Sequence, residues 1–350
     1  LEKMQHFVER SRETFFLLEG FAGTGKSTLC CQLIHLLANK KFALTAPTNK
    51  AVRVLRSMRR RRRLNVYCST IHSLLKLVPK HKEGETFLEM SDEASLKKYD
   101  VIIIDECSMI NEELMSKIIE VSDYNFCKVI FMGDPAQLPP VKEHHSPSFD
   151  VKEKVRLSKI VRQTDLNPIL PLSEMIRQYI DSKDYPFPPM MTNHEEDRGV
   201  ICAKSLDQWL HWIRHYFSQK DFDRNNDSFR VVTWTNARVA EINAMIRREI
   251  YGETETPFIK GERVIATMPI LGEENPQTGT REILIKTDDE CLVVSIEGDE
   301  LDSIPVWRVL LQNEDGDTGM AVIYQRKAEQ EYQTRVKTLK DQALKDKKLW

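Results

Sequence analysis

Between residues 14 and 155, short uninterrupted apolar runs alternate with stretches whose apolar positions recur every three or four residues. Residues 14–20 (TFFLLEG), 42–48 (FALTAPT), 99–106 (YDVIIIDE) and 128–134 (KVIFMGD) predict four buried strands. Residues 27–40 (STLCCQLIHLLANK) and 49–58 (NKAVRVLRSM) carry helical periodicity between them. Apolar strands alternating with helices predict an α/β fold, a parallel sheet covered on both faces. Residues 74–98 break the pattern with polar positions and a glycine, and predict an insertion.

The pattern then changes twice. Residues 180–200 are rich in proline and charge and predict a surface loop or linker. Residues 229–235 (FRVVTWT) predict a further strand, followed by a helix over 236–251 that stops at Gly252. From about 258 to 324 the chain is strand-like (RVIATMPI, ECLVVSIEG, PVWRVLLQ, GMAVIYQ), with Gly, Asn and Asp turns, and predicts a small β subdomain. The last residues are polar and helix-favouring. The divisions expected are 1–155, with the insertion at 74–98, then 156–257, 258–325 and a helical tail over 326–350.

Composition narrows the class without naming it. A chain of 350 residues, 41% hydrophobic and 30% charged, has material for two or three domains with real cores. No apolar run approaches the ~20 residues of a membrane helix, and no signal-peptide pattern is visible, so no membrane partner is expected. Seven cysteines, at 30, 31, 68, 107, 127, 202 and 291, form no Cys-x-x-Cys pair and read as reduced thiols of an intracellular protein. The net charge is −2, yet Arg53, Arg56 and Arg59 to Arg63 place seven arginines in eleven residues. That run is either a solvated helix end or a phosphate-backbone contact. Position 1 is leucine, so the numbering is expected to start inside a longer chain.

Three loops at predicted strand ends carry chemistry. Residues 20–27 (GFAGTGKS) satisfy every fixed position of G-x-x-x-x-G-K-[ST]. Its glycines allow backbone N–H groups to curl around phosphate oxygens, and the helix that follows adds its positive end. Lys26 would reach the β- and γ-phosphates and Ser27 would ligate Mg²⁺. Asp105 and Glu106 follow the 101–104 apolar run, at the carboxyl edge of the sheet. Asp105 there is a candidate Mg²⁺ ligand, and Glu106 a candidate to orient and deprotonate an attacking water. Gln137, in residues 131–141 (FMGDPAQLPPV), offers an amide able to bond both a γ-phosphate and a water.

Taken in order, GFAGTGKST, TAPTNKAV, STIHSLL, IIIDECSM, GDPAQLPPV and VRQ resemble superfamily 1 DNA helicases of the RecD/Dda type, over about residues 14–250. The resemblance implies two RecA-like domains, the second incomplete here, a hairpin insertion in the first and a β-rich, SH3-like insertion in the second. It implies an ATP-driven motor moving 5′ to 3′ on single-stranded DNA, working as a monomer at single/double-strand junctions, with replication or recombination proteins as further partners. ATP and Mg²⁺ would be its cofactors. Gly23, Thr24, Gly25, Lys26, Ser27 and Thr28 would hold the nucleotide, Gln137 would couple it to DNA, and Arg162 would reach the γ-phosphate from the second domain. Thr48, Asn49, Thr70, His72, Thr235 and Asn236 would touch the strand. Pro79 and Phe87 are the apolar candidates of the hairpin, where Phe87 either stacks on a base or packs the hairpin itself. The family's adenine-contacting glutamine and its last two motifs have no counterpart between Leu1 and Trp350, so the natural chain is expected to continue.

Overall fold

The computed structural model describes residues 1–82, 85–90, 98–159, 169–182, 184, 193–195, 198–218, 228–274, 281–325 and 328–345. Contacts divide the chain into two units, 1–188 with 286–289, and 189–285 with 290–350.

The first unit runs α1 (Glu2–Arg10), β1 (Phe15–Gly20), α2 (Lys26–Leu36), β2 (Phe42–Ala46), α3 (Asn49–Arg62), β3 (Tyr67–Thr70), α4 (Ile71–Leu74), β4 (Leu77–Lys82), β5 (Glu85–Met90), β6 (Val101–Ile104), α5 (Glu112–Asn125), β7 (Lys128–Gly133), β8 (Glu153–Leu157) and α6 (Ile169–Asp181). Six strands form one sheet in the order β3-β2-β6-β7-β1-β8, every pair parallel. The four strands expected from the sequence are there, and β3 and β8 extend the sheet at its two edges. Their mixed composition hides them, because an edge strand is covered less completely and needs no unbroken apolar run.

Successive side chains on a strand point to opposite faces. Leu18 and Ile103 therefore enter one core with Phe7, Leu33 and Leu55, while Leu17, Ile102, Ile104 and Phe131 enter the other with Leu114 and Ile118. That double burial is the reason the central strands read as continuous hydrophobic runs. At residues 77–90 the insertion is an antiparallel hairpin, with Pro79 opposite Leu88 and Lys80 opposite Phe87. The side chains of Pro79 and Phe87 lie outside the described residues.

The second unit holds β9 (Asn193–Glu195), β10 (Arg198–Val200), α7 (Leu206–Phe217), α8 (Asn236–Tyr251), β11 (Arg263–Ile265), β12 (Ile270–Glu274), β13 (Arg281–Ile285), β14 (Glu290–Leu301), β15 (Ile304–Asn313), β16 (Thr318–Tyr324) and α9 (Glu329–Lys345). The expected β subdomain is a four-stranded antiparallel sheet, β11-β14-β15-β16, with a β12-β13 hairpin, around Ile285, Val293, Val309 and Leu311. Arg247 on α8 donates through Nε and Nη2 to Glu262 at 2.7 and 3.2 Å, which fixes the helix to the start of this sheet. The described part of the expected linker includes a short hairpin, β9-β10.

One expectation is corrected. Residues 229–235 form no strand and pair with none among the described residues. A buried parallel strand needs ladder partners on its edges and helices over its faces, and Val232 and Trp234 are 92% and 91% exposed. Among the described residues of the second unit no parallel sheet forms.

Candidate functional site: a phosphate cradle facing paired carboxylates

The loop after β1 has the backbone its sequence requires. Gly23 and Gly25 take φ of 81° and 94°, a left-handed conformation that disfavours any side chain. Gly20 is held for a different reason: a Cβ there would press on Thr24 Oγ1 and Leu157. Thr24 is buried and its hydroxyl donates to Phe21 O at 2.8 Å, closing the loop on itself. Helix α2 starts at Lys26 with no side-chain cap, and while Thr28 N already donates to Gly25 O at 3.0 Å, the N–H groups before it lie ahead of the helix's own hydrogen-bond ladder. Lys26 Nζ donates to Gly20 O and, at 3.1 Å, to Phe21 O. A ring of donors, a free helix N-terminus and an ammonium group fit phosphate oxygens. Ser27 lies in the first turn, partly buried, and Thr28 beside it is exposed.

Strands β1, β7 and β6 are neighbours and parallel, so the loops that follow them converge at one end of the sheet. Asp105 and Glu106 leave β6 there. Glu106 has φ 54°, unusual for a residue with a side chain, and its N–H is bonded by Asp105 Oδ1 at 3.0 Å. Burial pushes the Asp105 carboxyl above its ordinary value, while the Glu106 N–H and the Lys26 charge pull it back. Burial raises Glu106 as well, with Asp105 and Asp134 adding like-charge repulsion and Lys26 opposing them. The Lys26 charge therefore opposes the rise of both carboxyls, and Asp105 adds to the rise of Glu106. That donor set, with the Ser27 hydroxyl, suits a hard divalent ion such as Mg²⁺.

A residue the sequence reading passed over organises the junction. Asp134, buried at the end of β7, accepts from Ala22 N at 3.2 Å and from Ala136 N at 3.0 Å. One carboxylate thus joins the phosphate loop to the turn that carries Gln137. Gln137 N donates to Asp134 O at 3.1 Å, and its side chain is exposed. The signal was present, since Asp134 ends an apolar strand as Asp105 does. Also unforeseen are two guanidinium groups on the Phe21 ring, Arg177 at 4.2 Å and Arg156 at 5.3 Å from its centroid. Arg156 also pairs with Glu19 at 3.2 Å.

The polar residues assigned to a strand contact divide by role. Thr48, Thr70 and Thr235 are helix N-caps, accepting from Ala51, Ser73 and Arg238 N–H at 3.2, 3.1 and 3.2 Å. Asn49 Nδ2 donates to Thr287 O at 3.1 Å. His72 is partly buried, and burial lowers its pKa. Asn236 opens α8 and is exposed. Thr235 and Asn236 belong to the second unit. Arg162 lies outside the described residues.

The chain matches the AAA domain family over residues 2–182, more than half of its length. The chain belongs to that family. The ATP-dependent DNA helicase dda of Enterobacteria phage T4 is 28% identical over 264 residues, 73% of this chain and 56% of the relative. The ATP-dependent RecD2 DNA helicase of Deinococcus radiodurans is 31% identical over 162 residues, 44% of this chain and 20% of the relative. A solved structure of two coordinating Pif1 helicases at forked dsDNA has a TM-score of 0.50 at 18% identity, covering 91% of this chain and 74% of that one. The family match and the two helicase relatives support a RecD/Dda-like helicase of superfamily 1B, and the solved structure supports the fold, with the six-stranded parallel sheet as a RecA-like α/β domain. The chain spans little more than half the length of the phage relative. Among the described residues, no helix is long and apolar enough to cross a membrane.

Proposed function

We propose that the protein of which this chain is part is an ATP-dependent DNA helicase or translocase that moves 5′ to 3′ on single-stranded DNA. The observation that carries the reading is the convergence of Lys26 with Asp105 and Glu106 at the same end of the sheet, after β1 and β6, the parallel strands on either side of β7, where the lysine charge opposes the rise of both carboxyls. Phosphoryl transfer needs little covalent help from a protein, and positioning with charge neutralisation does most of the work. The N–H groups of the loop hold phosphate oxygens, and Lys26 exchanges its two backbone carbonyls for the β- and γ-phosphates. Ser27 and Asp105 would hold Mg²⁺, which screens the phosphate charge. Glu106, its carboxyl raised by burial and then by the charge of Asp105, accepts the proton of the attacking water. Asp134 connects the loop to the Gln137 turn, a short mechanical route from nucleotide state to the strand-binding face. Arg162 would complete the site from the opposite wall, as an arginine stabilises the charge of a transferring phosphoryl group.

ATP hydrolysis by the full-length protein, with and without single-stranded DNA, tests this directly. Stimulation by DNA is expected. Lys26→Ala and Glu106→Gln are each expected to lower the stimulated rate by about 10²-fold or more, the scale of losing one preorganised electrostatic group. Absence of stimulation would remove the motor reading and leave a nucleotide-regulated DNA-binding module. Stimulated hydrolysis that separates neither a 5′-tailed nor a 3′-tailed duplex would leave a translocase that remodels protein–DNA complexes. Unwinding of the 3′-tailed duplex alone would reverse the polarity.

A further inference from the structure

At the edge of the parallel sheet opposite the phosphate loop, where β2, β3 and β6 begin, lies a cleft of about 430 Å³. Its walls include Lys40, Lys41, Arg63, Lys98, Tyr67 and Tyr99, and no lining residue is acidic. In open α/β folds, ligands bind at the carboxyl ends of strands. This cleft sits at the amino ends and owes nothing to the site described above.

Three features give it the character of a built surface. Tyr67 and Tyr99 stack at 5.9 Å between ring centroids with planes 25° apart, and Tyr67 stays 46% exposed, so ring surface remains open. The four last-turn arginines of α3 lead into Arg63, whose left-handed backbone (φ 52°) turns the chain back towards the cleft. Arg59 Nη1 donates to Val66 O at 3.3 Å and Leu64 N to Arg59 O at 3.0 Å, which ties the arginine run to the entrance of β3. Asp100 stands beside the cleft, and it is committed to Lys41 N at 2.7 Å and to Lys40 Nζ at 3.9 Å. Its ion pair with Lys40 offsets part of the charge of the four cations that line the cleft.

Cations interleaved with an open aromatic face, in a volume that fits one nucleotide, are the elements of a single-strand platform: phosphates on the cations, a base on the ring. A duplex keeps its base faces stacked away from such a ring. We propose that this cleft is a second nucleic-acid subsite, which takes a nucleotide of single-stranded DNA by stacking on Tyr67 with phosphates held by Lys40, Lys41 and Lys98. The arginine run of α3 then serves as a backbone contact along the approach. The proposal rests on the reading that the protein acts on single-stranded DNA.

The test measures binding of a fluorescent single-stranded oligonucleotide to the full-length protein over a range of salt, together with photocrosslinking of an oligonucleotide carrying 5-iodouracil. Tyr67→Ala is expected to weaken binding about 5- to 100-fold, the loss of one base stack, while Tyr67→Phe retains it. The triple variant Lys40→Ala, Lys41→Ala, Lys98→Ala is expected to flatten the salt dependence by ~0.7 per lost phosphate contact. The crosslink is expected on a peptide containing Tyr67. DNA-independent ATP hydrolysis is expected to be unchanged in both variants, which shows that they fold. Wild-type binding that neither variant alters, with no crosslink near Tyr67, would overturn the subsite while leaving the helicase reading intact. A wild-type protein that binds no single strand would overturn both. Binding of the oligonucleotide that excess free mononucleotide abolishes only at this cleft would show a small-molecule site and sink the strand assignment.

Discussion

Glu106 concentrates the residue-scale argument. It follows its strand in a left-handed backbone conformation, an uncommon place for a residue with a side chain. Such positions cost on the order of 1 kcal/mol or more and survive where the surroundings over-determine them. Its carboxyl is raised by burial and by the charges of Asp105 and Asp134. A raised carboxyl holds its proton more tightly in the folded state than in the unfolded one. Its contribution to stability is therefore present below the ordinary value and lost as pH rises through the raised one. Glu106→Gln removes the ionised form, so the ligand-free variant is expected to be more stable than the parent at neutral pH. The advantage should fade as pH falls into the ordinary carboxylate range. Chemical denaturation of both proteins across pH checks this, and a variant less stable at neutral pH would contradict the assignment of a burial and repulsion cost to this carboxylate.

At the scale of elements, the close approach of β7 to the segment after Glu106 depends on a glycine. A Cβ on Gly133 would overlap Cys107 Sγ and press on Phe149. Cys107 is buried, which pushes its thiol up to about 12, and its side chain is short. Gly133→Ala is expected to destabilise the chain by about 1–3 kcal/mol, the usual cost of overpacking. Cys107→Ala in the same molecule should recover most of that loss, because it removes the overlapping atom. A double-mutant cycle measured by denaturation gives the coupling, and additive losses would rule out the contact. Elements also show how far the sequence reaches. The four central strands were legible because burial on both faces writes an unbroken apolar run. β3 and β8 were not, since edge strands carry polar residues. The strand expected at 229–235 had the right composition, but composition does not supply a ladder partner, and Val232 and Trp234 stay open to solvent.

For the whole molecule, the candidate site ties nucleotide chemistry to global stability. A ligand that binds only the folded form stabilises it by about 2.7 kcal/mol at a hundredfold excess over its Kd. A non-hydrolysable ATP analogue with Mg²⁺ is expected to produce a shift of that order in the unfolding of the full-length protein. Lys26→Ala should abolish it, and a shift that survives the substitution would place nucleotide binding elsewhere. The sequence by itself determined the phosphate loop, the Asp105-Glu106 pair, the order of six motifs and the parallel α/β core. Each of these is written in contiguous residues, where glycine spacing, an acid after an apolar run and hydrophobic periodicity are local requirements of the backbone. Only the tertiary structure decided that Asp134 bridges two loops 112 residues apart, that Phe21 carries two guanidinium groups, and that Tyr67 meets Tyr99 over a basic cleft. Those pairings depend on which strands lie side by side, and strand order is settled by packing over long sequence separations, beyond the reach of any local pattern.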